Sequence, residues 1–110
     1  MTTTVKQVTL FARNHLIRDG IGQAVYECMK EDASIHLFGE GAHVKVHYDH
    51  PNIEREFSDR VHTMPICEDG SMNFACGAAL MGVKPIVTVI AGDFLYRAMD
   101  SIVNTAAKLN

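Results

Sequence analysis

Apolar residues recur at Ile17, Ile21, Ala24, Val25, Cys28 and Met29, a three-and-four spacing that gathers them on one helix face. Asn14 offers an N-cap, and Lys30 to Asp32 close the segment. Gly20 inside it costs about 1 kcal/mol against alanine but allows close approach to a sheet. Ile35-His36-Leu37-Phe38 reads as a buried strand running into Gly39-Glu40-Gly41. Ala42 to Asn52 is polar and irregular, and Ile53 and Phe57, one turn apart, mark a short helical piece capped by Asn52. Val61 to Met64 is a brief strand that Pro65, lacking an N–H, brings to an end. Asp69 or Ser71 can cap the next helix, from about Ser71 to Met81. Its small residues Ala75, Cys76, Gly77, Ala78 and Ala79 let the backbone come close to a neighbour, and Gly82 suits its stop. Pro85 to Ile90 is an almost unbroken β-branched run, as in a strand buried on both faces. After the Ala91-Gly92 turn, Asp93 caps a last helix whose apolar face holds Leu95, Ala98, Met99, Ile102, Val103 and Ala106.

Strands alternating with helices predict an α/β fold, a parallel sheet joined by right-handed crossovers and covered by helices on both faces. Residues 1–13 read as a loosely held polar arm ahead of one domain over 14–110. Glu40, Glu68 and Phe94 then fall just past the carboxyl ends of strands, the rim where parallel α/β sheets bind ligands. The centre of the pattern is Met64-Pro65-Ile66-Cys67-Glu68-Asp69-Gly70, where an apolar run stops at an acid and a turn opens a helix.

Composition narrows the partners. A chain of 110 residues, 47% hydrophobic, fills one packed core and leaves no room for a second domain. With a net charge of −3 and mixed signs there is no basic stripe, so neither nucleic acid nor an anionic membrane is expected as a partner. No apolar run approaches the roughly 20 residues of a membrane span, and the first residues lack the order of a signal peptide. The default is a soluble cytoplasmic protein, or one of the mitochondrial matrix if it is a processed eukaryotic chain. Cys28, Cys67 and Cys76 are odd in number and lack metal-like spacing, so they read as small hydrophobes. His43, His47, Asp49 and His50 could surround a metal, but histidines in a polar loop are more often simply exposed, and no metal site is expected.

Three stretches together resemble one family: Thr63 to Glu68, Gly77 to Val87, and Asp93-Phe94 followed by Ala98 to Lys108. They are similar to the transketolase-like pyrimidine-binding domain, and within it to the beta subunit of thiamin-diphosphate-dependent 2-oxoacid dehydrogenases of the pyruvate, branched-chain and acetoin types. The likeness runs over about residues 14–110 and is strongest from Met64 onward. It implies that Glu68 is the acid that hydrogen-bonds the aminopyrimidine of the cofactor. A carboxyl group in a partly dry pocket can share a proton with that ring, favouring the imino form that activates the thiazolium carbon. Phe94 matches the aromatic packed on the pyrimidine face, Ile90 and Ile66 fall at neighbouring apolar positions, and Glu40 matches an acid implicated in proton linkage between paired sites.

The likeness also implies partners. The family holds the cofactor's diphosphate and magnesium through a Gly-Asp-Gly segment on a different domain, and none occurs in this sequence. An alpha-type subunit carrying that segment, a lipoyl acyltransferase core and a homo- or hetero-oligomer are therefore expected. The family continues past the point where this sequence stops, so a fragment or a much-reduced relative is expected, inactive by itself. Departures from the family pattern are Gly41 for its usual acid, His43 to His50 in place of a glycine pair, Thr88 for a common glutamate and Ser101 for its usual glutamine.

Taken without the likeness, the same residues have plainer readings. Glu68 would be an acid favoured by a helix start, Phe94 core packing, Glu40 a solvated loop acid and Cys67 a small buried residue. Two function classes follow: the pyrimidine half of a thiamin-diphosphate site in a decarboxylating enzyme, or a non-catalytic module of the same fold that binds an alpha-type subunit. A generic nucleotide-binding domain is disfavoured, since neither G-x-G-x-x-G nor G-x-x-x-x-G-K is present.

Overall fold

A computed structural model describes residues 8–41 and 50–109, with side chains from residue 17 onward. Helix α1 (Val8–Glu31) leads into strand β1 (Ile35–Glu40), and the short α2 (Ile53–Glu56) and a 3-10 turn (Ser58–Arg60) lead into β2 (Val61–Met64). Helix α3 (Glu68–Leu80) then returns the chain to β3 (Lys84–Thr88). A last helical segment is 3-10 over Gly92–Ala98, π-helical over Ser101–Thr105 and 3-10 again over Ala106–Lys108.

The three strands are parallel in the order β2-β1-β3, with Leu37 level with both Val61 and Ile86. That register puts Leu37 and Val61 on one face, where with Met29 of α1 and Ile53 of α2 they form a fully buried cluster. Val25, Tyr26, Ile35, Phe57 and Ile86 surround it. On the other face α3 crosses from β2 to β3, and Phe74 tilts onto Phe38 at 5.6 Å. Helices therefore cover both faces, as the sequence pattern requires.

A hydrogen-bonded clasp joins the starts of all three strands. Asp32, just before β1, accepts from Ser34 N (2.8 Å), Ser34 Oγ (2.6 Å) and Lys84 Nζ (2.6 Å). Lys84 opens β3, and its backbone N–H donates to Ser34 O at 2.8 Å. Arg60, just before β2, donates from Nη1 to the carbonyls of Asp32 (3.0 Å) and Ile35 (3.3 Å). The lysine and serine contacts hold the Asp32 carboxyl well below the usual carboxylate range.

Several boundaries differ from the sequence expectation. Helix α1 begins at Val8, ahead of Asn14, so residues 8–13 of the expected arm are helical, and residues 1–7 lie outside the described residues. Glu40 is the last residue of β1 and does not lie beyond it. Asn52 precedes α2 but makes no capping hydrogen bond, and most of the polar stretch after Gly41, including His43, His47 and Asp49, falls outside the described residues. Helix α3 starts at Glu68 behind an extended Cys67, so neither Asp69 nor Ser71 is its cap. It stops at Gly82 (φ 91°), a left-handed position glycine takes without strain. Strand β3 ends at Thr88, because its pairing partner Gly39 lies one residue from the end of β1.

Candidate active site

At the carboxyl end of the sheet, Ile66, Cys67, Glu68, Phe94 and Arg97 line one cleft of about 420 Å³. Local sequence explains how they meet. Pro65 follows the last ladder residue of β2, and two residues later Cys67 sits extended while its carbonyl accepts from Ser71 N at 2.9 Å, starting α3. Glu68 and Asp69 thereby fall in the first turn, where the helix dipole favours acids. On the opposite wall, the turn at Ala91 accepts from Phe94 N at 3.0 Å, and the 3-10 pitch puts Arg97 one turn after Phe94 on the same side.

Glu68 is only 8% exposed and its Oε2 lies 3.9 Å from Arg97 Nε, a long pairing to a guanidinium that is itself mostly in solvent. Phe94 is 46% exposed and Ile66 is 84% exposed, so both leave apolar surface open to a ligand. A buried carboxylate, an open aromatic face and an aliphatic side chain suit a flat ring that carries N–H donors, with the guanidinium at the rim for an anionic group. Deeper in, Ser101 Oγ donates to the Asp69 carboxylate and to Asp69 O (3.4 Å), tying the last helical segment to the turn that carries Glu68. Ser71, on the same helix as Glu68, buries its hydroxyl without a hydrogen-bond partner among the described residues.

Of the residues singled out from sequence, Glu68, Phe94 and Ile66 come together. Ile90, half exposed just after β3, and Glu40, 5% exposed at the end of β1 and level with Met64, do not line the cleft. Arg97, Cys67 and the Ser101–Asp69 tie were not singled out as site residues. Only Arg97 carries a sequence signal, its three-residue spacing from Phe94 in a helical stretch. His50 stacks on Tyr26 at 4.2 Å and bonds Gln23 Oε1 through Nε2 at 3.1 Å. Among the described residues, no group of three His, Cys, Asp or Glu side chains is placed to hold a metal, and no helix is long and apolar enough to cross a membrane.

The family described as transketolase, pyrimidine binding domain, matches residues 15–110. Among curated proteins, the 2-oxoisovalerate dehydrogenase subunit beta 2 of Arabidopsis thaliana, a mitochondrial protein, is 32% identical over 110 residues, covering 98% of this chain and 31% of the relative. The mitochondrial 2-oxoisovalerate dehydrogenase subunit beta of Chaetomium thermophilum is 34% identical, with 96% and 21% covered. The human mitochondrial pyruvate dehydrogenase E1 component subunit beta is 32% identical, with 84% and 26% covered. This chain thus spans between about a fifth and a third of the length of these relatives.

Proposed function

Because the chain belongs to the transketolase pyrimidine-binding domain family, we propose that it supplies the pyrimidine side of a thiamin-diphosphate site in the decarboxylating component of a 2-oxoacid dehydrogenase. The observation that carries this reading is the single cleft in which a nearly buried Glu68 faces the open side chains of Phe94 and Ile66. That donor set fits an aminopyrimidine: one carboxylate for a ring nitrogen and an aromatic face for the ring. When bound, thiamin diphosphate supplies the carbanion chemistry by which 2-oxo acids lose carbon dioxide. Glu68 holds the proton shared with the ring, its position fixed by the first turn of α3 and by the Ser101–Asp69 tie. Phe94 and Ile66 orient the ring and exclude water from the carboxylate.

Among the described residues the cleft offers one guanidinium, Arg97, to an anion and no set of oxygen ligands for magnesium, so a second chain of the alpha type completes the site, and the acyl group passes to a lipoyl acyltransferase core. Exposed Tyr96 and Met99 beside the cleft offer apolar surface to such a neighbour. This role belongs to the cytoplasm or the mitochondrial matrix, where 2-oxo acids are oxidised. The test is NMR of the isotope-labelled chain titrated with millimolar thiamin. Amide shifts confined to Ile66–Asp69 and Phe94–Arg97, and lost in Glu68→Gln, are the expected result. Shifts elsewhere, or shifts that survive the substitution, overturn it.

A further inference from the structure

The buried carboxylate of the cleft already has a cation beside it. Glu68 Oε2 lies 3.9 Å from Arg97 Nε, and among the described residues this is the one ion pair that either side chain makes. Asp69, the next acid along α3, is engaged elsewhere, accepting from the Ser101 hydroxyl and, at 3.4 Å, from Asn73 Nδ2. Ile66 and Phe94, on the other walls, offer no charge that could replace the guanidinium. The two partners differ in freedom. The Glu68 side chain is 8% exposed and fixed in the first turn of α3, whereas that of Arg97 is 80% exposed on a 3-10 turn. The pair can therefore part by a swing of Arg97 into water, with Glu68 staying where it is.

Given a thiamin-diphosphate site in this cleft, on which the assignment rests, we propose that Arg97 holds Glu68 while the cleft is empty and is displaced by the incoming aminopyrimidine. Arg97 is then a positioning residue that sets how tightly a cationic thiamin binds. A ring N–H must come within about 2.9 Å of the carboxylate to bond it, and the guanidinium claims the same charge. Thiamin brings a positive thiazolium, and one carboxylate cannot balance two cations in a partly dry cleft. Arrival of the ligand and departure of the guanidinium are thus linked, and binding forfeits whatever the Glu68–Arg97 pair contributes to the empty cleft. The three-residue step of the 3-10 turn puts Phe94 and Arg97 on one side, so a ring stacked on Phe94 arrives beside the guanidinium. An ion pair with one exposed partner shifts an equilibrium by up to about fivefold, so this contact tunes affinity without closing the site.

The experiment follows the Arg97 Nε–H signal by NMR while the isotope-labelled chain is titrated with thiamin at low ionic strength. As thiamin saturates the cleft, the signal should move to the position it has in ligand-free Glu68→Gln, the mark of a guanidinium that has left its carboxylate. Arg97→Gln should bind thiamin about threefold more tightly than the parent, and Arg97→Lys, which restores the charge, should return towards the parent value. Salt at about 0.5 M should bring the parent and Arg97→Gln affinities together. An Arg97 signal that stays in place while the amides of Ile66–Asp69 and Phe94–Arg97 shift, or an Arg97→Gln affinity no tighter than the parent's, overturns the role of Arg97 and leaves the cofactor site standing. No cleft amide shift in either chain overturns both.

Discussion

Changing Gly39 to alanine tests how β1 holds the acid at its end. Gly39 is buried in the central strand, level with Thr88 and one residue before Glu40. A methyl group there would collide with Thr88 Oγ1, lie 2.8 Å from Thr88 O and 3.1 Å from Thr88 Cβ. The hydroxyl can rotate away, but the carbonyl belongs to the backbone of β3, so the two strands must part. Overpacking of this kind costs about 2 kcal/mol. For a chain of this size that lowers Tm by on the order of 10 °C. Thr88→Ala added to Gly39→Ala removes the hydroxyl clash and leaves the carbonyl clash, so only part of the loss should return. Thermal melts give the stability, and hydrogen exchange should show β1–β3 amides losing protection while β1–β2 amides keep theirs. A Gly39→Ala Tm within a degree or two of the parent, or full recovery in the double variant, would refute the close-approach argument.

Other outcomes follow from the same geometry. Leu37→Ala, at a fully buried position between α1 and the sheet, should cost about 2–5 kcal/mol in denaturant unfolding, and a cost under about 1 kcal/mol would mean the cluster is not the core. Phe94→Ala should leave Tm nearly unaltered, because the ring is half exposed, yet weaken thiamin binding in the NMR titration; equal affinity would remove Phe94 from the ligand surface. Asp32 titrates below the ordinary carboxylate range in the folded chain, so its contribution is complete above about pH 4 and is lost as pH falls further. Asp32→Asn should therefore flatten the fall of Tm between about pH 4 and pH 2, and parallel curves for parent and variant would count against the clasp.

The sequence carries the strands best. Val61 to Met64 matches β2 residue for residue, because Pro65 is a physical stop that no tertiary contact can override. The limit of β3 was not legible: Val89 and Ile90 have every strand preference, but pairing ends where β1 runs out of partner residues. The start of α3 was misplaced because Asp69 and Ser71 are good caps in isolation. An extended Cys67 makes Glu68 helical, and Ser101 claims the Asp69 carboxylate instead. The last helix has a regular apolar spacing yet does not keep one pitch, and that same serine tie falls on the first residue of its π turn. The grouping of Glu68 with Phe94 follows from the strand-end rule, whereas the approach of Arg97 to Glu68 joins residues far apart in sequence and leaves no local trace.

The clasp of Asp32, Ser34, Arg60 and Lys84 lies at the amino pole of the sheet, and the cleft lies at the carboxyl pole. Substitutions that raise or lower folding stability at one pole can then accumulate without touching the residues that meet a ligand at the other. A lineage built this way can drift in its growth temperature while its chemistry stays fixed, or explore new ligands while the clasp absorbs the destabilisation. Stabilising changes near Asp32 are thus the place to begin before redesigning the cleft around Glu68.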